Sequence, residues 1–142
     1  VENSPFIIPG IYVDWVEEVY GWGVFTKEKI KKDAFIEASP VIVYPVDIIK
    51  IASWNAQEDR GSNASLGLTL YSLRWGEQFA AVPMGYGGIY NHSDRNNCEF
   101  VNDIENGILY IIALRDIEPG EQLLVSYGSD WFDNKPFPKV DL

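Results

Sequence analysis

Apolar residues in this chain recur in short alternating or clustered runs separated by Gly, Pro and Asn. That is the grammar of half-buried strands and tight turns, not of long amphipathic helices. The runs predict strands at 11–16, 22–26, 34–44, 66–73, 78–82, 98–103, 108–114 and 122–126. Between two of them, Asn106-Gly107 predicts a type I′ hairpin turn, which requires positive φ at both central residues. Trp75-Gly76 predicts a second hairpin. Pro119-Gly120 suits the centre of a type II turn, with Pro fixing one φ and Gly supplying the positive one. Helix is scarce. Residues 46–54, "VDIIKIASW", place Ile48, Ile49 and Ala52 on one face of a short helix, but the stretch suits irregular chain equally. The polar run 55–65 reads as a surface loop, and the proline-containing 133–142 as a tail extended over the body or frayed. The expected architecture is mainly β, with short and numerous strands and little helix, in one domain spanning 1–142.

Composition sharpens this picture. Five Trp, eight Tyr and seven Phe among 142 residues predict an aromatic-rich packed core and exclude a disordered chain. One cysteine and one histidine exclude an internal disulfide and a four-ligand zinc site, so the expectation is no metal, with stability drawn from packing. No apolar run reaches bilayer-spanning length, and "VENSPFIIPG" lacks the basic flank and apolar segment of a signal peptide, so the chain reads as soluble and intracellular. With 21 acidic against 11 basic residues, the net charge of −10 disfavours direct nucleic-acid binding and suits a cationic partner, although solubility alone also explains it.

Three motifs carry candidate chemistry. Gly21-Trp22-Gly23, before Val24-Phe25, lets the backbone turn and approach a ligand closely, or frames a bend before a strand. It lacks the third glycine and following helix of a dinucleotide fingerprint. Asn91-His92-Ser93, with Asn97-Cys98 after it, gathers the only His and the only Cys of the chain. An Asn there offers donor and acceptor together, as an amino-acid headgroup requires, but a hydrogen-bonded turn would use the same residues. Gly120-Glu121-Gln122-Leu123-Leu124-Val125-Ser126-Tyr127-Gly128 is an apolar strand closing on Tyr and Gly.

In this order and spacing the three motifs resemble the SET-domain protein-lysine methyltransferases, over roughly residues 12–132. The resemblance implies a SET-domain fold of several short sheets, with a C-terminal segment threaded through a loop, a pseudoknot that brings the Asn-His motif beside the final tyrosine. It also implies S-adenosylmethionine as cofactor, giving S-adenosylhomocysteine as product. Gly21, Trp22, Gly23, Asn91, His92, Tyr127 and Trp131 would hold the cofactor, with Asn91 on its amino group and the His92 backbone near the adenine. Tyr127 would stand at the methyl-transfer point as the catalytic residue. Tyr86, Tyr90, Phe100, Val125 and Phe132 would line the substrate channel, although aromatic residues here serve core packing equally well.

The implied chemistry is in-line displacement at a sulfonium methyl by a lysine amine, which asks for alignment in a dry passage. A free lysine with pKa ~10.4 is about one part in a thousand neutral near neutral pH, a handicap of roughly 4–5 kcal/mol that apolar surroundings reduce. Aromatic walls exclude water and tolerate a methylated ammonium through their ring faces. The substrate would be a basic lysine-containing protein or peptide, a histone tail among them, laid along a sheet edge of a monomer or homodimer. The alternative is an inactive SET-fold module that binds a basic partner. Three departures stand out: Asp94 and Asn96 replace the Cys and Pro common in the family, Ala38 replaces a Tyr after Glu37, and Val125 replaces Phe or Tyr.

Overall fold

In the computed structural model, residues 4–18, 20–45 and 72–128 are described. Among the described residues ten strands run in chain order: β1 (Phe6–Ile7), β2 (Ile11–Glu17), β3 (Gly21–Thr26), β4 (Phe35–Pro45), β5 (Leu73–Trp75), β6 (Phe79–Pro83), β7 (Asn91–His92), β8 (Cys98–Asp103), β9 (Ile108–Ala113) and β10 (Leu124–Val125). No helix occurs among the described residues, so none there is long and apolar enough to cross a membrane. The possible helix 46–54, the loop 55–65, the tail 133–142, Trp131, Phe132 and most of the strand expected at 66–73 lie outside the described residues.

The long apolar run around β4 is central because both of its edges are used. It pairs with β9 through its first half and with β6 through its second, in a sheet ordered β5-β6-β4-β9-β8 with β1 also on β4. β2 and β3 form a separate hairpin with an irregularity between Trp15 and Glu17. The fully buried Val24, Ile36, Leu109, Ile111, Ile117, Leu123 and Val125 join the hairpin, the large sheet and β10 in one apolar core.

β7 and β10 pair in parallel, Leu124 against Asn91 and Val125 against His92. Residues 93–97 reinforce the crossing. Ser93 N–H donates to Val125 O at 2.9 Å, Asn97 N–H to Leu124 O at 3.1 Å, and Asn97 Nδ2 to Gln122 O at 2.8 Å. Leu124 N–H returns a bond to Asn97 Oδ1 at 2.7 Å. Asn97 thereby satisfies both sides of a chain that has no longer ladder to rely on.

Two turns follow their sequence signals. Gly76 has φ +73° between β5 and β6, and Gly120 has φ +88° in a turn closed by Glu121 N–H on Glu118 O at 3.2 Å. The Asn106-Gly107 turn differs from the two-residue type I′ form. Four residues, 104–107, link the paired Asp103 and Ile108, and only Gly107 among them has positive φ. The Asp103 carboxylate accounts for the change, since it accepts from both the Asn106 N–H (3.1 Å) and its Nδ2 (2.8 Å). A side chain bonding its neighbours' backbone competes effectively with the tighter turn.

Candidate active site

The crossing of β7 and β10 brings the three motifs together. Asn91 is buried, and its Nδ2 donates to Trp22 O at 3.1 Å and to Gln122 Oε1 at 2.8 Å. One amide thus ties the first glycine motif to the segment entering β10. With its nitrogen spent on these bonds, the carboxamide is oriented so that Oδ1 is the atom left to accept from a ligand amine. Such an acceptor fits the amino group of an amino-acid headgroup.

Gly21 supports the site with φ +69° at the start of β3. Gly23 supports it by size, because a Cβ there would stand 2.6 Å from Gln122 Oε1, 2.7 Å from Val16 Cγ2 and 3.1 Å from Asn91 Nδ2. Trp22 contributes its carbonyl, while its exposed ring packs edge-to-face on Trp15 at 5.4 Å.

His92 does more than its backbone position suggests. Its Nδ1 accepts from Tyr127 N–H at 3.1 Å, which leaves the proton on Nε2, facing Asp94 Oδ1 at 3.1 Å. The two rings lie 5.3 Å apart. Asp94, unexpected beside the motif, is therefore a partner of the histidine ring. Tyr127 is gripped at its other end as well, its hydroxyl donating to Tyr90 O at 2.6 Å.

Tyr86, Phe100 and Tyr127 are half-buried, whereas Tyr90 and Val125 are sealed within the core. Tyr90 meets Phe100 edge-to-face at 6.5 Å. Burial, with the Glu37 carboxylate against it, holds the Tyr90 phenol well above its ordinary pKa, so it remains a neutral donor.

Two participants were not singled out as site residues from the sequence. Gln122 gave no signal beyond its place in the third motif. Glu37 did give one, a lone carboxylate inside the apolar run 34–44. Glu121 of the same third motif is exterior scaffolding. It pairs bidentately with Arg115 at 2.8 and 3.2 Å, and that pairing leads the effects that hold its carboxyl below the usual range.

Cys98 is fully buried on β8, and burial pushes its thiol up to about 12. An unfolded thiol titrates near ~8.5, so the stability tied to the neutral native thiol is complete below that pH and is lost as pH rises toward the folded value. Denaturant unfolding across that alkaline range should show stability falling with pH, and less steeply in Cys98→Ala. Equal slopes for the two proteins would exclude the thiol as the cause.

Residues 21–128, from the first glycine of the first motif to the last of the third, match the family model for the SET domain, and the chain belongs to that family. Protein-lysine methyl transfer is accordingly its activity, and S-adenosylmethionine is the cofactor general to methyltransferases of this family. The chain is 30% identical over 116 residues to a Schizosaccharomyces pombe histone-lysine N-methyltransferase specific for H3 lysine-37, covering 81% of this chain and 72% of that one. It is 36% identical over 77 residues to the Caenorhabditis elegans histone-lysine N-methyltransferase Suv4-20, covering 54% of this chain and only 24% of that protein. The crystal structure of a Plasmodium falciparum histone methyltransferase candidate superposes with TM-score 0.61 at 28% identity, over 88% of this chain and 98% of that one.

Proposed function

We propose that the β7–β10 crossing is the methyl-transfer site and that its substrate is a lysine of a basic protein, with histone tails the leading class. The junction at Asn91 carries this reading, because it joins the β3 glycines to Gln122 and leaves an oriented acceptor between Tyr90 and His92, the two residues that hold Tyr127. S-adenosylmethionine, when bound, supplies the electrophilic methyl group. Gly21 and Gly23 allow close backbone approach, and Asn91 Oδ1 receives the amino group. The Tyr127 proton is committed to Tyr90 O. Its oxygen therefore presents lone pairs, suited to accept from the incoming amine and to align it, with no need for an ionised phenol. Tyr86 and Phe100 supply apolar walls that disfavour the ammonium form of lysine. The two relatives are named for histone lysines, and the −10 charge of this chain complements such basic tails.

Incubation with S-adenosylmethionine labelled in its methyl group and a panel of histones and other basic proteins should place label on lysine. Cofactor binding with no label on any protein would instead favour a binding module. Label on non-histone proteins alone would move the substrate class away from histones.

A further inference from the structure

The Glu37 carboxylate is wholly buried near the start of β4, at its third residue. Among the described residues no lysine or arginine forms an ion pair with it. Burying an unpaired charge is expensive unless hydrogen bonds replace its water, and an apolar side chain at this position would serve the core better. Three donors converge instead. Oε1 accepts from Ser39 Oγ at 2.6 Å and Tyr86 N–H at 2.8 Å, and Oε2 accepts from Tyr90 OH at 2.6 Å. Gly85 brings the loop in close with φ +71°, and a Cβ there would stand 2.6 Å from Oε1. The carboxylate thus clamps both ends of the segment 86–90. The far end of that segment carries the carbonyl that receives the Tyr127 hydroxyl at 2.6 Å.

We propose that Glu37 is a positioning residue for methyl transfer, fixing the 86–90 segment so that the Tyr90 carbonyl sets the direction of the Tyr127 hydroxyl. The inference rests on the methyl-transfer role proposed for Tyr127. Glu37 touches neither reacting group, and it acts through Tyr90. A role confined to stability would lower the melting temperature and leave the rate constant of the folded protein intact. A positioning role lowers kcat while cofactor affinity and peptide KM hold, since misalignment by a fraction of an ångström is felt chiefly in the reacting geometry.

The test uses the full chain, with Glu37→Gln, Tyr90→Phe, Tyr127→Phe and the double variant Glu37→Gln/Tyr127→Phe. Labelled-methyl transfer, calorimetric cofactor titration and thermal melting are measured on each. Glu37→Gln should lower kcat by about 10- to 100-fold, with KM and cofactor Kd within about twofold. It should cause no further loss in the Tyr127→Phe background, because the hydroxyl it directs is already gone. Tyr90→Phe breaks the same link without altering the carboxylate and should reproduce the loss in kcat, which keeps the test decisive if Glu37→Gln does not fold. Wild-type kcat in Glu37→Gln or in Tyr90→Phe overturns the proposal. So does a Glu37→Gln loss that multiplies with that of Tyr127→Phe. A wild-type protein that transfers no methyl group overturns the site reading first and this inference with it, so the two failures are distinguishable.

Discussion

Tyr127→Phe should lower the rate of methyl transfer by about 10²-fold or more while leaving cofactor affinity within about twofold. The variant keeps the ring beside His92 and the backbone N–H on His92 Nδ1, so the seat of residue 127 survives. What disappears is one oxygen, together with its 2.6 Å bond to Tyr90 O. A single neutral hydrogen bond contributes about 1 kcal/mol of net stability, too little to unfold the domain. The loss should therefore fall on kcat. Single-turnover transfer beside a thermal melt measures both, and a variant as fast as wild type would remove Tyr127 from the chemistry.

Gly23→Ala should act on the other half of the site. The added methyl would press on Gln122 Oε1, Val16 Cγ2 and Asn91 Nδ2 together, and β3 is held on both sides, by β2 and by Leu123 N–H on Val24 O at 2.7 Å. Relief requires either a backbone shift or rupture of the Asn91–Gln122 bond. Overpacking of this kind costs about 1–3 kcal/mol of stability. If Asn91 receives the cofactor amine, affinity for S-adenosylmethionine should fall tenfold or more, roughly the 1–3 kcal/mol expected when a buried polar contact is disturbed. Gly76→Ala is the matched control. It destabilises by a different route, the positive φ of +73°, but has open space around its Cβ and lies on the β5–β6 hairpin. Calorimetric titration of all three proteins should show weakened binding in Gly23→Ala alone. Unchanged affinity in a folded Gly23→Ala would exclude the junction from cofactor binding.

The strands most legible in sequence are those held by regular alternation and long ladders. β8 was expected at 98–103, its observed span, and β3, β6 and β9 differ by a residue at one or both ends. β7 left no such trace. It is two polar residues, Asn91 and His92, made a strand by a parallel partner more than thirty positions away. Periodicity cannot reveal a pairing that distant partners impose. β1 was hidden for a related reason, being two residues docked on Glu37 and Ala38.

The candidate site was legible as three motifs in order, and the resemblance they carry supplied the role of each. Its internal wiring was not legible. Nothing in "YNHSD" announces that the imidazole accepts from Tyr127, because that bond depends on where β10 lies. Tyr90 and Val125 illustrate the opposite limit. Their residue types suit a channel wall or a core alike, and only the fold shows that both side chains are buried.

The parallel pairing of β7 with β10 also bears on the order of events during folding. Its hydrogen bonds close over a long stretch of chain that includes β8 and β9, and such non-local closures form slowly because loop entropy is lost before contacts compensate. The β8–β9 hairpin, joined by four residues, can form on its own timescale, whereas the bonds of Asn91 to Gln122 and of Tyr127 to His92 require the chain to be synthesised through residue 127. A nascent chain displaying most of its sheet therefore still lacks the junction of β7 with β10.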